Sequence, residues 1–109
     1  MGGPKLTGVP LLSKAEALNI ADGLIGEVKR NSDDNRWIYS HRPTGEGTRR
    51  VRYFDTKQGA DLDRKFDYWC CAIKLAFPNV SKETLLSLFY QGDIEFGDAW
   101  RIVEQGGLE

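Results

Sequence analysis

The sequence predicts a single α+β domain, in which a two-stranded antiparallel β-hairpin packs against about four helices in the order α-β-β-α-α-α. The length of 109 residues suits one hydrophobic core and is short for two. Apolar residues recur at helical spacing in four segments and alternate with polar residues in two others, which a glycine-containing turn separates. Hydrophobic residues make up 40% of the chain and charged residues 28%, as is typical of globular proteins and not of disordered tails or fibres.

Residues 13–30 form the clearest predicted helix. Ser13-Lys-Ala-Glu16 is a capping box, in which the Ser13 hydroxyl accepts from the Glu16 amide and the Glu16 carboxylate accepts from the Ser13 amide. The residues behind it make an apolar stripe: Ala17, Ile20, Ala21, Leu24, Ile25 and Val28. Gly23 and Gly26 each weaken helix propensity by roughly 1 kcal/mol relative to alanine. Their proximity indicates that another element approaches the backbone closely there.

After a loop over 31–35, residues 36–42 and 48–54 read as two strands joined by a turn over 43–47. One face of the first strand carries Trp37, Tyr39 and His41, and the second strand alternates Arg50, Arg52 and Phe54 with Arg49, Val51 and Tyr53. One register places an aromatic face on the helices and an arginine-rich face outward, and a one-residue slip would reverse this. A third strand, from the N-terminal segment or a second copy of the chain, would relieve the exposed edge.

Three further helices are expected in the C-terminal half. The first covers about 61–77, with a stripe of Leu62, Phe66, Trp69, Cys70, Ile73 and Phe77, and ends before Pro78. The second is capped by Ser81 and stops at Gly92, and the third covers roughly 95–105. Residues 1–12 are expected to form a flexible lead-in, and 108–109 have the composition of a cloning remnant.

Membrane and secretion signals are not apparent in the sequence. No stretch approaches the roughly 18 consecutive apolar residues that a membrane span needs, and the first twelve residues lack the apolar segment of a secretory signal. The two cysteines, Cys70 and Cys71, are adjacent and form neither a disulfide framework nor a C-x-x-C motif. The prediction is a cytoplasmic protein with no membrane contact, in which Cys70 is a small core residue.

The net charge of −1 conceals an uneven distribution. Residues 28–54 hold seven bases and three acids, whereas residues 81–109 hold two bases and six acids. Because the net charge is close to zero, a uniformly basic nucleic-acid coat of the histone kind is excluded. What remains is a basic hairpin with a net charge of +4 and an acidic C-terminal third with a net charge of −4.

The basic hairpin favours a small non-enzymatic module that binds DNA or RNA, because a guanidinium group donates two hydrogen bonds at once to phosphate or guanine. The candidate binding residues are Lys29, Arg30, Arg36, Arg42, Arg49, Arg50 and Arg52. A two-stranded ribbon fits the major groove of DNA. Alternatively, unpaired bases could stack on Trp37, Tyr39 and Tyr53. A competing interpretation is that the arginines only solvate an edge strand and discourage aggregation.

The acidic C-terminal segment supplies a second hypothesis. Residues 81–105 have the outline of a helix-turn-helix, but acids outnumber the single arginine on its second helix and phosphates would repel it. Phe96 and Trp100 on this segment favour contact with a basic protein partner or a homodimer mate, unless both are core residues. The alternative function is therefore a protein–protein adaptor or inhibitor that uses the hairpin edge or the acidic helices.

No catalytic, metal or cofactor site is predicted, and the chain is expected not to be an enzyme. His41 is the only histidine, and nothing local supports its pairing with a cysteine as a nucleophilic dyad. Asp63 and Asp67 fall at i and i+4 and could share a cation. The bases that lie beside them make ion pairs on the helix surface the simpler interpretation.

Overall fold

The computed structural model describes residues 10–41 and 50–106. This part of the chain contains helices α1 (Lys14–Leu24), α2 (Lys57–Ala76), α3 (Lys82–Gly92) and α4 (Phe96–Glu104), and strands β1 (Lys29–Arg30), β2 (Trp37–His41) and β3 (Arg50–Phe54). The strands form one antiparallel sheet in the order β1-β2-β3. The α+β class is therefore confirmed, whereas the expected two-stranded sheet has three strands. The turn expected over 43–47 lies outside the described residues.

Helix α1 starts as predicted and ends earlier than predicted. Its capping box is present, with Ser13 Oγ accepting from the Glu16 amide at 3.2 Å and the Glu16 carboxylate accepting from the Ser13 amide at 3.1 Å. The helix ends at Leu24, because Ile25 is extended and forms an isolated bridge with His41. The residues expected to complete the helix instead supply β1, which pairs with β2.

Gly26 brings the chain that follows α1 against β2. Its amide donates to the Ser40 carbonyl at 2.7 Å, and a Cβ at this position would lie 2.8 Å from Ser40 Oγ. The close approach predicted here is confirmed at Gly26, whereas a Cβ built on Gly23 would meet nothing within 4 Å apart from its chain neighbours and the backbone of its own helix. Arg64 of α2 donates to the carbonyls of Gly26 and Ile25 at 2.8 and 3.2 Å. These bonds satisfy carbonyls near the end of α1 and hold the segment on α2.

The register of the sheet decides which side chains face the helices. Strand β2 pairs with β3 so that Tyr39 lies opposite Arg52 and Trp37 lies opposite Phe54. Since paired residues share a face, the aromatic residues of β2 and the arginine of β3 lie on the same, inner side. The register with an outward arginine-rich face is therefore wrong, and the register shifted by one residue is the observed one. The opposite face carries Lys29, Ile38, Ser40, Val51 and Tyr53.

Helix α2 is the central element of the core. It begins at Lys57, before the expected start near residue 61, because Thr56 Oγ1 caps it by accepting from the Gly59 amide at 3.0 Å. It packs against α1, the sheet and α3, and its buried residues include Phe66, Cys70, Ile73 and Ala76. Leu11, at the end of the expected lead-in, donates its amide to the Ala76 carbonyl at 2.9 Å.

The last two helices complete the core. Ser81 caps α3 as predicted, with its Oγ accepting from the Thr84 amide at 3.3 Å, and Asp93 in a left-handed conformation ends the helix. Leu85 and Phe89 of α3 are buried against the core. Within residues 10–41 and 50–106, no helix has both the length and the apolarity needed to cross a membrane.

Candidate functional site

The outward face of the sheet presents accessible aromatic and basic residues. Tyr53 on β3 is 52% exposed, and Val51 on the same strand is also exposed. Ile38 on β2 pairs with both Tyr53 and Lys29, so these three residues form a row across the three strands. We call the set Lys29, Ile38, Ser40, Val51 and Tyr53 the outer sheet face.

Lys29 and Arg36 border the outer sheet face, whereas Arg30 pairs with Trp37 and lies on the inner side of β1. Lys29 and Arg30 of β1 are exposed, and neither forms an ion pair within the described residues. Arg36 precedes β2 and lies 4.0 Å from the Asp55 carboxylate, with both side chains exposed. A solvated pair at that distance contributes little, so these three bases are available to an anion.

The sheet separates Arg52 from the bases of the outer sheet face. Arg52 lies on the inner side, where its Nε is 3.2 Å from Oδ2 of Asp63. Arg42 and Arg49, together with the side chain of Arg50, lie outside the described residues. The basic residues of the hairpin are thus divided between two faces, because the register differs from the one the arginine pattern suggested.

The three aromatic residues predicted to stack on bases occupy different environments. Tyr39 is 1% exposed and stacks on Phe54, with ring centroids 5.8 Å apart. Because the protein encloses the Tyr39 ring, an unpaired base cannot stack on it, and the prediction that Tyr39 stacks on bases is wrong. Trp37 is half-buried and shares the inner side of the sheet with Tyr39. Tyr53 alone of the three lies on the outer sheet face.

The two aromatic residues proposed for a protein interface pack in the core region. Trp100 is 3% exposed, and its ring lies 5.1 Å from that of Phe77 in an edge-on arrangement. Phe96 is half-buried, with its ring 5.8 Å from Trp100 and 6.2 Å from Trp69. Trp100 is therefore a core residue, and a partner could contact only the exposed part of Phe96.

A polar cluster beneath the sheet was not predicted from the sequence. Asp67 of α2 is 2% exposed, its Oδ2 accepts from His41 Nδ1 at 2.9 Å, and its Oδ1 lies 3.1 Å from the Lys82 ammonium. Burial alone would raise the pKa of Asp67, but the His41 hydrogen bond and the Lys82 charge outweigh burial and lower it. We call the following set the inner polar cluster: Tyr39, His41, Arg52, Asp63, Asp67, Lys82 and Tyr90.

Asp63, one helical turn before Asp67, accepts from two tyrosines. The Tyr39 hydroxyl donates to Oδ2, and the Tyr90 hydroxyl donates to Oδ1 at 2.9 Å. Burial and the bond to Asp63 raise the pKa of Tyr90 to about 12 and also raise that of Tyr39. Both phenols therefore remain protonated donors at neutral pH. Expecting both aspartates to form ion pairs on the helix surface was wrong, because they face β2 and α3.

The chemistry of this cluster is that of a binding or structural network. Cys70 is a free buried thiol whose pKa is raised by burial to about 12, so it remains protonated and unreactive, as its interpretation as a core residue implies. The histidine pairs with Asp67 and not with a cysteine. Among the described residues, no group of three or more His, Cys, Asp or Glu side chains is arranged to hold a metal ion.

Comparison with known proteins assigns this chain to no family. No protein-family model, no curated protein and no solved structure matches it. Function is therefore inferred from two places in the fold, the outer sheet face and the inner polar cluster.

Proposed function

We propose that this protein is a non-enzymatic module that binds single-stranded nucleic acid on the outer sheet face. The observation that carries the proposal is Tyr53, a half-exposed aromatic ring in a row with Ile38 and Lys29 across the three strands. An aromatic ring on an exposed antiparallel sheet offers a stacking platform to any unpaired base. Nearby lysine and arginine side chains neutralise the phosphates of the same strand.

The arrangement of the bases supports this assignment. Lys29 lies two strands from Tyr53, roughly 10 Å across the sheet, so a base stacked on Tyr53 brings its flanking phosphates within reach of the ammonium. Arg36 extends the positive border at the same end of the sheet, whereas Arg30, which pairs with Trp37, lies on the inner side. Ile38 and Val51 add apolar surface between these groups, on which the edge of a sugar or base can rest.

A single strand fits this face better than a duplex does. The major groove of B-DNA admits a two-stranded ribbon, whereas β1 widens this ribbon to three strands. Arg52, which could read base edges, is held on the inner side by Asp63. The outer sheet face therefore offers stacking and phosphate contact, which favour unpaired and sequence-tolerant binding.

Substitution of Tyr53 tests the stacking role. Tyr53→Ala is expected to weaken binding of a labelled single-stranded oligonucleotide about 5- to 150-fold, since stacking on an aromatic ring is worth about 1–3 kcal/mol per base. Tyr53→Phe keeps the ring and is expected to retain binding. Leu62→Ala is the matched control, because Leu62 is 42% exposed on α2, away from the sheet face. Fluorescence anisotropy at low salt measures all four proteins, and equal affinities would contradict the proposal.

Salt dependence tests the phosphate contact made by Lys29. Lys29→Gln is expected to reduce the slope of log K against log salt by roughly 0.7, the value for one phosphate contact on a single strand. Lys14→Gln removes the same charge from an exposed position on α1 and is expected to leave the slope unchanged. A slope that both variants lower equally would indicate attraction by overall charge and not by this surface.

A second candidate function is protein binding by strand addition at β3. This strand lies at the edge of the described sheet, where the backbone of a partner strand can pair with it. Its exposed Val51 and Tyr53 offer side chains that such a partner can contact. Light scattering over a range of concentrations tests whether two copies associate. A monomer that binds oligonucleotides and captures no protein partner would exclude the second candidate.

A further inference from the structure

A pocket of about 370 Å³ opens between β3, α2 and α3, on the other side of the sheet from the outer sheet face. Its lining includes Arg52, Asp63, Asp67, Lys82, Tyr90 and Gln91. Its volume is within the range of about 300–1,000 Å³ usual for small-ligand sites. The inner polar cluster forms one wall, so the pocket has fixed hydrogen-bonding groups.

The hydrogen bonds already made in this wall leave mainly donors available. Both oxygens of Asp63 are occupied, Oδ1 by Tyr90 and Oδ2 by Tyr39 and Arg52. Arg52 uses Nε for that pair, and within the described residues its terminal nitrogens have no hydrogen-bond acceptor. The Gln91 carbonyl accepts from Ser87 Oγ at 3.2 Å, which leaves the Gln91 amide nitrogen as a donor.

Asp67 and Lys82 form an incomplete pair in the same pocket. The ammonium lies 3.1 Å from Oδ1 of Asp67 but outside hydrogen-bonding geometry, so Oδ1 has no hydrogen-bond donor among the described residues. A buried carboxylate oxygen without a hydrogen-bond donor lowers the stability of the fold. The Lys82 ammonium is the ion-pair partner of Asp67, and it carries three N–H groups, more than this one contact can use. The site therefore lacks a group that accepts from Lys82 and donates to Asp67.

We propose that this pocket binds the head of a small phosphate monoester, in the form that still carries one P–OH group. Its charged oxygens accept from Arg52, Lys82 and the Gln91 amide, and its hydroxyl donates to Oδ1 of Asp67. Lys82 is partly exposed on a flexible stem, so turning its ammonium toward the anion uncovers Oδ1. Monoesters have a second pKa of about 6, so the protonated form is present near neutral pH.

This ligand differs chemically from the one proposed for the outer sheet face. A phosphodiester of a nucleic-acid backbone has no P–OH group and cannot supply the donor that Asp67 lacks. Sulfate has the same tetrahedral shape and also lacks the hydroxyl. Preference for phosphate over both is therefore the signature of this pocket, whereas attraction by charge alone would favour the doubly charged sulfate.

Amide chemical shifts provide the test, with inorganic phosphate, sulfate and dimethyl phosphate as probes at pH 6 and constant ionic strength. Phosphate is expected to shift the amides of β3 and α3 around Arg52, Lys82 and Gln91 to saturation. Sulfate and dimethyl phosphate are expected to bind roughly tenfold more weakly, the cost of one lost hydrogen bond to a charged group. Equal responses to phosphate and sulfate, or no response at these amides, would overturn the proposal.

Two variants outside the buried core assign the site. Arg52→Gln removes a terminal donor while both tyrosines still bind Asp63, and Gln91→Glu places a negative charge beside the anion. Both are expected to weaken phosphate binding at least tenfold, whereas Gln58→Glu, the same substitution at an exposed position on α2, is expected to leave it unchanged. If all three bind phosphate like the unmodified protein, the pocket is not the site.

Tyr53→Ala distinguishes this proposal from nucleic-acid binding on the outer sheet face, because it is expected to weaken oligonucleotide binding and to leave phosphate binding unchanged.

Discussion

Asp67 is the residue of the inner polar cluster that joins His41 to Lys82. Its buried carboxylate is paired with His41 and lies beside the Lys82 ammonium. Asp67→Asn removes the charge and leaves Lys82 without its partner. We expect it to lower the free energy of unfolding by about 3–5 kcal/mol, as for other broken buried pairs. Urea denaturation at pH 7 measures the change. Asp61→Asn, at the exposed pair with Lys57, is the control and is expected to cost under about 1 kcal/mol.

The same residue predicts how stability depends on pH. Because the folded state lowers the pKa of Asp67, its ionised form contributes stability above the unfolded pKa of about 3.9. This contribution is lost as the pH falls through the folded-state pKa. We expect unfolding free energies measured between pH 2 and 7 to show a smaller acid-induced loss in Asp67→Asn than in the unmodified protein. Parallel profiles would show that other carboxylates account for the acid sensitivity.

The polar cluster could in principle have been recognised from residue spacing. Tyr39 and His41 are two apart on a strand, a distance of roughly 6.8 Å, and Asp63 and Asp67 are about one helical turn apart, a rise of roughly 6 Å. The two pairs therefore match when the strand lies on the helix. The sequence alone did not reveal which elements pack together, so local pairing with adjacent bases was the simpler interpretation.

At the scale of elements, two glycines near the end of α1 have opposite expected effects. Gly23→Ala fills open space in a helix and is expected to stabilise the protein by about 0.5–1 kcal/mol. Gly26→Ala is expected to destabilise it by about 1–3 kcal/mol, because its Cβ would lie 2.8 Å from Ser40 Oγ. Thermal unfolding of the two variants measures both effects.

A double variant checks the cause of the Gly26 effect. Ser40→Ala removes the oxygen that the new Cβ would contact, so Gly26→Ala combined with Ser40→Ala is expected to lose less stability than the sum of the two single variants. Strict additivity would show that the contact with Ser40 does not explain the role of Gly26.

Local signals predicted the helices better than the sheet. The Ser13 capping box and the Ser81 cap lie beside the apolar stripes they begin, and both occur in the structure. Strand β1 has only two residues and is recognised by its pairing with β2. The sequence did not predict it, because the helical spacing of apolar residues continues through Val28. The register of β2 and β3 was ambiguous because both faces of β3 mix basic and apolar residues.

For the whole molecule, the sheet divides the basic hairpin into two surfaces with different chemistry. The outer sheet face carries exposed Tyr53 with Lys29, and the inner side carries Arg52 among the carboxylates of α2. The net charge of +4 over residues 28–54 therefore does not describe one binding surface. Arg52 pairs with Asp63 inside the fold, whereas Lys29 lies on the outer sheet face with no ion pair among the described residues.

Mapping the bound strand on the folded protein tests the central claim most directly. In an amide chemical-shift titration with a short single-stranded oligonucleotide at low salt, the largest changes are expected at Lys29, Ile38, Val51 and Tyr53. The amide resonances of α3 are expected not to shift, because α3 lies on the other side of the sheet, and those of α4 not to shift, because its acidic residues repel the strand. Saturable shifts on the outer sheet face would support single-stranded nucleic-acid binding. Shifts centred on α3 and α4, or none at any residue, would contradict it.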